Sequence, residues 1–165
     1  MGFYHEYYYA MTEPGQILCS LVHLHEEAGQ VVYERHERMQ AVEAGDEAYE
    51  HYLYKGIAYY LQDRVFLLDY ESLTGNEITQ TILIPSYKSR LYRLNGLKLG
   101  ISANDRCVPT CTRVVWTYLG ASIDQEGALR RTRLYRPEDP RLDADLLERL
   151  SKTEFEGGTF RLASS

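Results

Sequence analysis

Between residues 3 and 120, one strand-like run follows another with only short connections, and this spacing constrains the fold more than any other feature of the chain. "FYHEYYYAM", "QILCSLVHLHE", "QVVYERHERM", "YLYKGIAYYL", "VFLLDYES", "ITQTILIP", "LYRLNGLKLGIS" and "TRVVWTYLG" are rich in β-branched and aromatic residues. Turn-forming stretches such as "TEPG", "EEAGQ", "QDR" and "LTGNE" separate them. Parallel strands need crossovers of a dozen or more residues, so the short connections exclude them. The spacing predicts a mainly β domain, an antiparallel meander of about eight strands. A sheet of that width would expose two edges and curl, so we expect it to be closed, or strongly bent, into a barrel. Gly56, Gly96 and Gly100 fall inside strand patterns and are expected at bulges and bends where the barrel turns its corners.

The rest of the chain changes character. Residues 121–152 read as a polar, irregular segment followed by one helix, "DPRLDADLLERLSK". Asp139 or Asp143 can cap that helix, and Leu142, Leu146, Leu147 and Leu150 form its apolar stripe. It is expected to pack on the outside of the barrel or to plug one end. Residues 153–165 read as a final strand or a tail. The 165 residues suit one domain, 1–165, with a substantial core.

A net charge of −6 does not supply the basic footprint of a nucleic-acid-binding domain. The basic run "LRRTRLYR" is read as a solvated loop. No stretch approaches the ~20 apolar residues of a membrane-spanning helix. The opening "MGFYHEYYY" lacks the plan of a signal peptide, and Gly2 lacks the myristoylation context. Three cysteines, Cys19, Cys107 and Cys111, make no disulfide framework, which points to the cytoplasm. "CVPTC" has no second pair with which to build a zinc site.

The aromatic residues are mostly tyrosine, 15 against 4 Phe and 1 Trp. Tyrosine suits a surface that is half apolar and half wet. A three-residue loop at Glu27-Ala28-Gly29 would place His23 opposite Tyr33 and Leu21 opposite Arg35. Ile17, Cys19, Leu21, His23 and His25 would then share a face with Val31, Tyr33, Arg35, Glu37 and Met39. Neither face would be cleanly apolar, which fits a barrel whose cavity is lined by amphipathic side chains. A turn centred on Pro14 would set His5 across from His23. A metal site of His5, His23 and His25 exists only in that register, since a slip of one residue flips every side chain. No cofactor or metal is assigned.

Other chemistry is weaker still. Asp69 and Glu71 share a strand face, as paired carboxylates do, and as strand ends commonly do. Cys19 and His23 lie four positions apart on a strand, about 13 Å, too far for a nucleophile and its base. Phosphate-binding, dinucleotide-binding, nucleophile-elbow and zincin motifs do not occur.

The block from "YKGIAYYL" through "LNGLKLGISA" to "PTCTRVVWTYLG" resembles the C-terminal half of bacterial helix-turn-helix (XRE-like) transcriptional regulators. In these a small DNA-binding domain precedes a β-rich effector-sensing domain. The resemblance covers residues 4–120. This chain lacks a helix-turn-helix, so direct nucleic-acid contact is not expected of it. The resemblance implies a cytoplasmic, non-catalytic sensing domain of a transcription regulator, binding a small molecule in its barrel. The candidate lining residues are Tyr7, Tyr9, His23, Tyr33, Arg35, Tyr59, Tyr60, Arg113 and Trp116, with Arg35 or Arg113 placed to meet an anionic group. Two other readings stand beside it. One is an interaction or homodimerisation module using tyrosine-rich strands, "FYHEYYYAM" pairing with its twin. The other is a metal-dependent enzyme using the N-terminal histidines.

Overall fold

The computed structural model describes residues 1–40, 49–85, 92–101, 107–156 and 159–162. The expected connections at 41–48, 86–91 and 102–106 lie outside the described residues.

Eight strands, β1 Gly2–Tyr9, β2 Ile17–Glu27, β3 Gln30–Gln40, β4 Tyr49–Leu61, β5 Arg64–Glu71, β6 Ile78–Pro85, β7 Arg93–Ile101 and β8 Pro109–Gly120, pair antiparallel with their neighbours in sequence. β8 pairs back onto β1, so the meander closes into a barrel without a free edge in those strands. Local chemistry sets the turns. Pro14 and Gly15, the latter at φ 85°, form the pattern of a type II turn closed by the Gln16 N–H donating to Glu13 O at 3.1 Å. Ala28 and Gly29, at φ 51° and 79°, form a two-residue turn between β2 and β3. Gln62 and Asp63, at φ 46° and 62°, do the same between β4 and β5.

The turn at Ala28 and Gly29 corrects the expected register. With two residues in the loop rather than three, Leu24 lies opposite Tyr33 and His23 opposite Glu34. The faces exchange accordingly. Val22 and Leu24 share the inner face with Tyr33, Arg35 and Glu37, whereas Cys19, Leu21 and His23 point outward. The first hairpin also differs: His23 faces Phe3, and His5 faces Leu21.

The interior glycines do not mark bulges, since the registers run unbroken through Gly56 and Gly96. They are places of close approach. A Cβ on Gly96 would stand 2.1 Å from Ile82 O, and one on Gly56 would stand 2.6 Å from both Leu68 O and the Tyr33 ring. The one irregularity in the described ladders falls between Phe3 and Tyr4, where β1 meets β8.

The segment after β8 is more ordered than expected. It holds two helices rather than one, α1 Gln125–Leu129 and α2 Ala144–Ser151, with β9 Arg133–Tyr135 between them. The basic run is therefore partly a strand. β9 pairs with Ile17–Cys19 of β2 where β2 and β3 have separated. Asp143, not Asp139, caps α2 by accepting from the Leu146 N–H. Leu142, Leu146 and Leu150 then pack outside the barrel on Tyr7, Ile17, Cys19 and Val115. Each fully buried leucine contributes about 1.5–3 kcal/mol. Arg93 of β7 bonds to both Asp143 and Asp145 and ties α2 to the wall. Ala128 of α1 closes a second outer cluster with Phe3 and Leu21. β10 Thr153–Glu156 and β11 Thr159–Leu162 make a separate hairpin.

Candidate functional site

Because alternate residues of each strand face inward, the registers decide what fills the barrel. One part of the lumen is an apolar plug of Val22, Ala58, Leu67, Leu83, Leu94, Val114 and the ring of Trp116. Beside it lies a charged layer in which Glu6, Arg35, Glu37, Asp69 and Lys98 are all at least 97% buried. Burying these charges is costly unless each is paired and hydrogen-bonded.

Glu6 forms one knot. Its Oε1 accepts from Trp116 Nε1 at 2.9 Å, its Oε2 accepts from Ser20 Oγ at 3.1 Å, and Lys98 Nζ lies 3.1 and 3.0 Å from the two oxygens. Arg35 forms the second. Its Nε donates to Asp69 Oδ2 at 3.1 Å, its Nη1 donates to Glu37, and its guanidinium stacks 3.5 Å over the Tyr54 ring. Tyr8 donates to Glu37 at 2.7 Å, and Thr79 donates to Asp69. Burial alone would lower the Arg35 pKa, but Asp69, Glu37 and Glu6 around it push it well up. For Asp69, burial opposes ionisation, yet Arg35, Lys98 and the Thr79 hydroxyl bring its pKa below the usual value. Glu37 goes the other way: burial outweighs Arg35, Lys98 and Tyr8, and its pKa is raised.

The charged layer opens into a mouth cavity of about 630 Å³. Tyr8, Tyr52, Tyr54, Leu18, Met39 and Leu134 give it apolar and aromatic walls. Glu37, Glu50, Glu71, Glu77 and Lys98 supply its charge. Its rim is the β1–β2 turn, residues 10–13, and the segment 74–77 between β5 and β6. Glu71 builds that second rim. Burial works against its ionisation, but the Thr74 hydroxyl and the N–H groups of Leu73, Thr74 and Gly75 win and hold its carboxyl at about 2. Glu77 accepts from the Tyr54 hydroxyl at 2.8 Å.

Of the residues expected to line a cavity, Tyr33, Arg35 and Trp116 face the lumen. Tyr33 and Trp116 belong to the packed interior, and Arg35 is already held by two carboxylates. The others do not join them. Tyr7 lies outside the barrel under α2, with Tyr9 packed beside that cluster. His23 is stacked outside between Phe3 and His25, with ring centroids 4.1 and 4.6 Å away. Tyr59 and Tyr60 are exposed. Arg113 points outward and is buried, with its Nη1 unpaired. The histidines do not assemble: His5 is under α1, its Nε2–H donating to Ala128 O at 3.1 Å, while His36 and His51 pair elsewhere on the outer wall. Among the described residues, no group of three or more His, Cys, Asp or Glu side chains is placed to hold a metal ion. Burial pushes the Cys19 thiol up to about 12, which leaves it unreactive at neutral pH.

Reading the sequence missed Glu6, Glu37 and Lys98, and passed over Asp69 and Glu71 as ordinary strand-end acids. The available signal was alternation. Asp69 and Glu71 continue the inward series begun by Leu67, and Lys98 sits two positions from Gly96 and Gly100.

Compared with known protein families, curated proteins and solved structures, the chain matches none.

Proposed function

We propose that this chain is a non-catalytic, small-molecule-sensing domain of a bacterial transcription regulator, acting in the cytoplasm, and that its ligand occupies the barrel mouth. The observation that carries the reading is the mouth cavity, about 630 Å³, within the range of small-molecule sites. The resemblance of residues 4–120 to effector-sensing halves of helix-turn-helix regulators supplies the regulatory part.

The wall chemistry narrows the ligand. The positive charge of Lys98 is spent on Glu6, and that of Arg35 on Glu37 and Asp69. The polar groups left to meet the head of a ligand are carboxylate and tyrosine, above all Glu50 and Glu77, which accept from the Tyr52 and Tyr54 hydroxyls. An amphipathic molecule with a cationic or hydrogen-bond-donating head suits such a site, with the tyrosine faces adding cation–π attraction. An anionic ligand, expected from the sequence to pair with Arg35 or Arg113, does not suit it.

A ligand transmits a signal only if it distinguishes two states of the domain. Tyr8, in the mouth, and Glu6, in the charged layer, lie on the same strand, so a ligand that displaces Tyr8 from Glu37 also disturbs β1. The test is a thermal-shift screen of matched small amines and carboxylic acids. Amines that raise the melting temperature support the proposal, provided the gain is lost on filling the mouth with Ala10→Trp. A screen in which no amine stabilises the protein refutes it.

A further inference from the structure

The barrel has two apolar outer faces, and among the described residues the chain covers one of them. β9, α1 and α2 bury the outward residues of β1, β2 and β8. Arg93 at the start of β7 is held by α2, whereas Tyr59, Leu68, Tyr70, Ile78, Ile82 and Leu99, outward on β4 to β7, stay exposed. Registers align them in rows across the sheet: Tyr59 beside Phe66 and Ile82, and Tyr70 beside Ile78. Leu68 and Leu99 flank Gln80 in the row between. Ile78 is 66% exposed and Tyr59 57%. The six most exposed of these apolar side chains present on the order of 600 Å² of surface, at the top of what a lone domain leaves bare and near the ~800 Å² each partner brings to a standard interface.

We infer that this face is the contact between two copies of the chain, packed about a twofold axis. Two observations select a second copy as the occupant. The side chains named in these rows carry no formal charge, so the centre of the face can meet its copy without acids facing each other, Glu27 and Glu34 standing at its edge with Lys55. A partner chosen by charge would find nothing to read. The rim carries both signs: Lys55 Nζ lies 3.8 Å from Glu34 Oε1, and both side chains are about half exposed. A rim of mixed sign is self-complementary under a twofold axis, which brings the same patch of each copy together. Beside the rim the face is concave, with a groove of about 400 Å³ flanked by Ile57, Leu68 and Tyr70 that can receive apolar side chains. Pairing through the first strand, the expected route to a dimer, is closed, because β1 is already bonded to β2 and β8.

Sedimentation equilibrium of the full chain at micromolar concentration tests this. The expected mass is twice the 19.1 kDa of one chain. Leu68→Glu and Ile78→Lys lie outside the lumen and should each weaken association at least tenfold, with Trp116 emission unchanged as evidence that the barrel is intact. Lys55→Glu should weaken it too, and adding Glu34→Lys should restore it. A wild-type monomer overturns the inference, as does a dimer whose affinity is unchanged in a folded Leu68→Glu, Ile78→Lys double variant. If Leu68→Glu disturbs the barrel, Tyr70→Glu replaces it and is judged on the same terms.

Discussion

Lys98 Nζ lies 3.1 and 3.0 Å from the two carboxylate oxygens of Glu6, a residue 92 positions away in the chain, and both side chains are about 1% exposed. This pair joins β1 to β7 across the lumen, with Trp116 and Ser20 satisfying what remains of the carboxylate. Removing one member leaves the other charged and buried. Lys98→Met should therefore cost about 3–5 kcal/mol in urea unfolding. Adding Glu6→Leu should recover part of that loss. A single variant within about 0.5 kcal/mol of wild type, the range of an ordinary surface change, would remove the pair from the account.

Asp69 and Glu37 share Arg35 but should not be equivalent. The Asp69 pKa is lowered, so its stabilising contribution is present above the unfolded value and is lost as pH falls through the folded one. The Glu37 pKa is raised, so its pH dependence is reversed: its stabilising contribution is present below the unfolded value and is lost as pH rises through the folded one. At neutral pH, Asp69→Asn should destabilise by about 3 kcal/mol or more, and Glu37→Gln by clearly less. Equal losses in chemical denaturation would contradict the assignment of Asp69 as the principal counter-ion.

The Glu71 carboxyl, held at about 2, makes the rim of the mouth sensitive to acid. A depressed carboxylate stabilises the fold above its unfolded value, near 4.5, and loses that contribution as pH falls toward 2. Stability measured between pH 5 and 2 should fall more steeply in wild type than in Glu71→Gln. Parallel curves would mean that the bonds to Thr74 and Gly75 do not stabilise the carboxylate.

Gly96 tests the packing of the wall. A Cβ there would stand 2.1 Å from the carbonyl oxygen of Ile82, which is backbone and cannot rotate away. Gly96→Ala should lose about 3 kcal/mol, the upper end of overpacking costs. Gly15→Ala meets no atom within 4 Å and carries only the strain of its positive φ, about 1 kcal/mol. Similar losses at both sites would show that β6 and β7 are not as close as described.

The closed meander was legible because short turns and strand patterns are local signals, and the α2 stripe at Leu142, Leu146 and Leu150 was legible for the same reason. Which residues line the lumen was not. That depended on whether the loop at Ala28 and Gly29 held two residues or three, and either length is compatible with a glycine in that position. One residue of slip moved His23 from the expected cavity to the outer wall and put Tyr33 and Arg35 on the same side as Val22 and Leu24. The charged layer was hidden for a different reason. Glu6, Asp69 and Lys98 share their strands with other polar residues, His5, Arg64 and Asn95 among them, and only closure of the barrel shows that their side of the sheet is the inside. β9 escaped notice because three residues, Arg133–Tyr135, are too few to show a period.

On the reading proposed above, the mouth binds a small molecule and favours a cationic head over an anionic one. The most direct test of that reading is a titration with 4-phenylbutylamine and with 4-phenylbutyrate, two probes of the same shape and opposite charge, followed by the emission of Trp116, the chain's one tryptophan. Saturable binding of the amine is expected, at least tenfold tighter than the acid and weakened by Glu77→Gln. Tighter binding of the acid, or no saturable response to either probe, would contradict it.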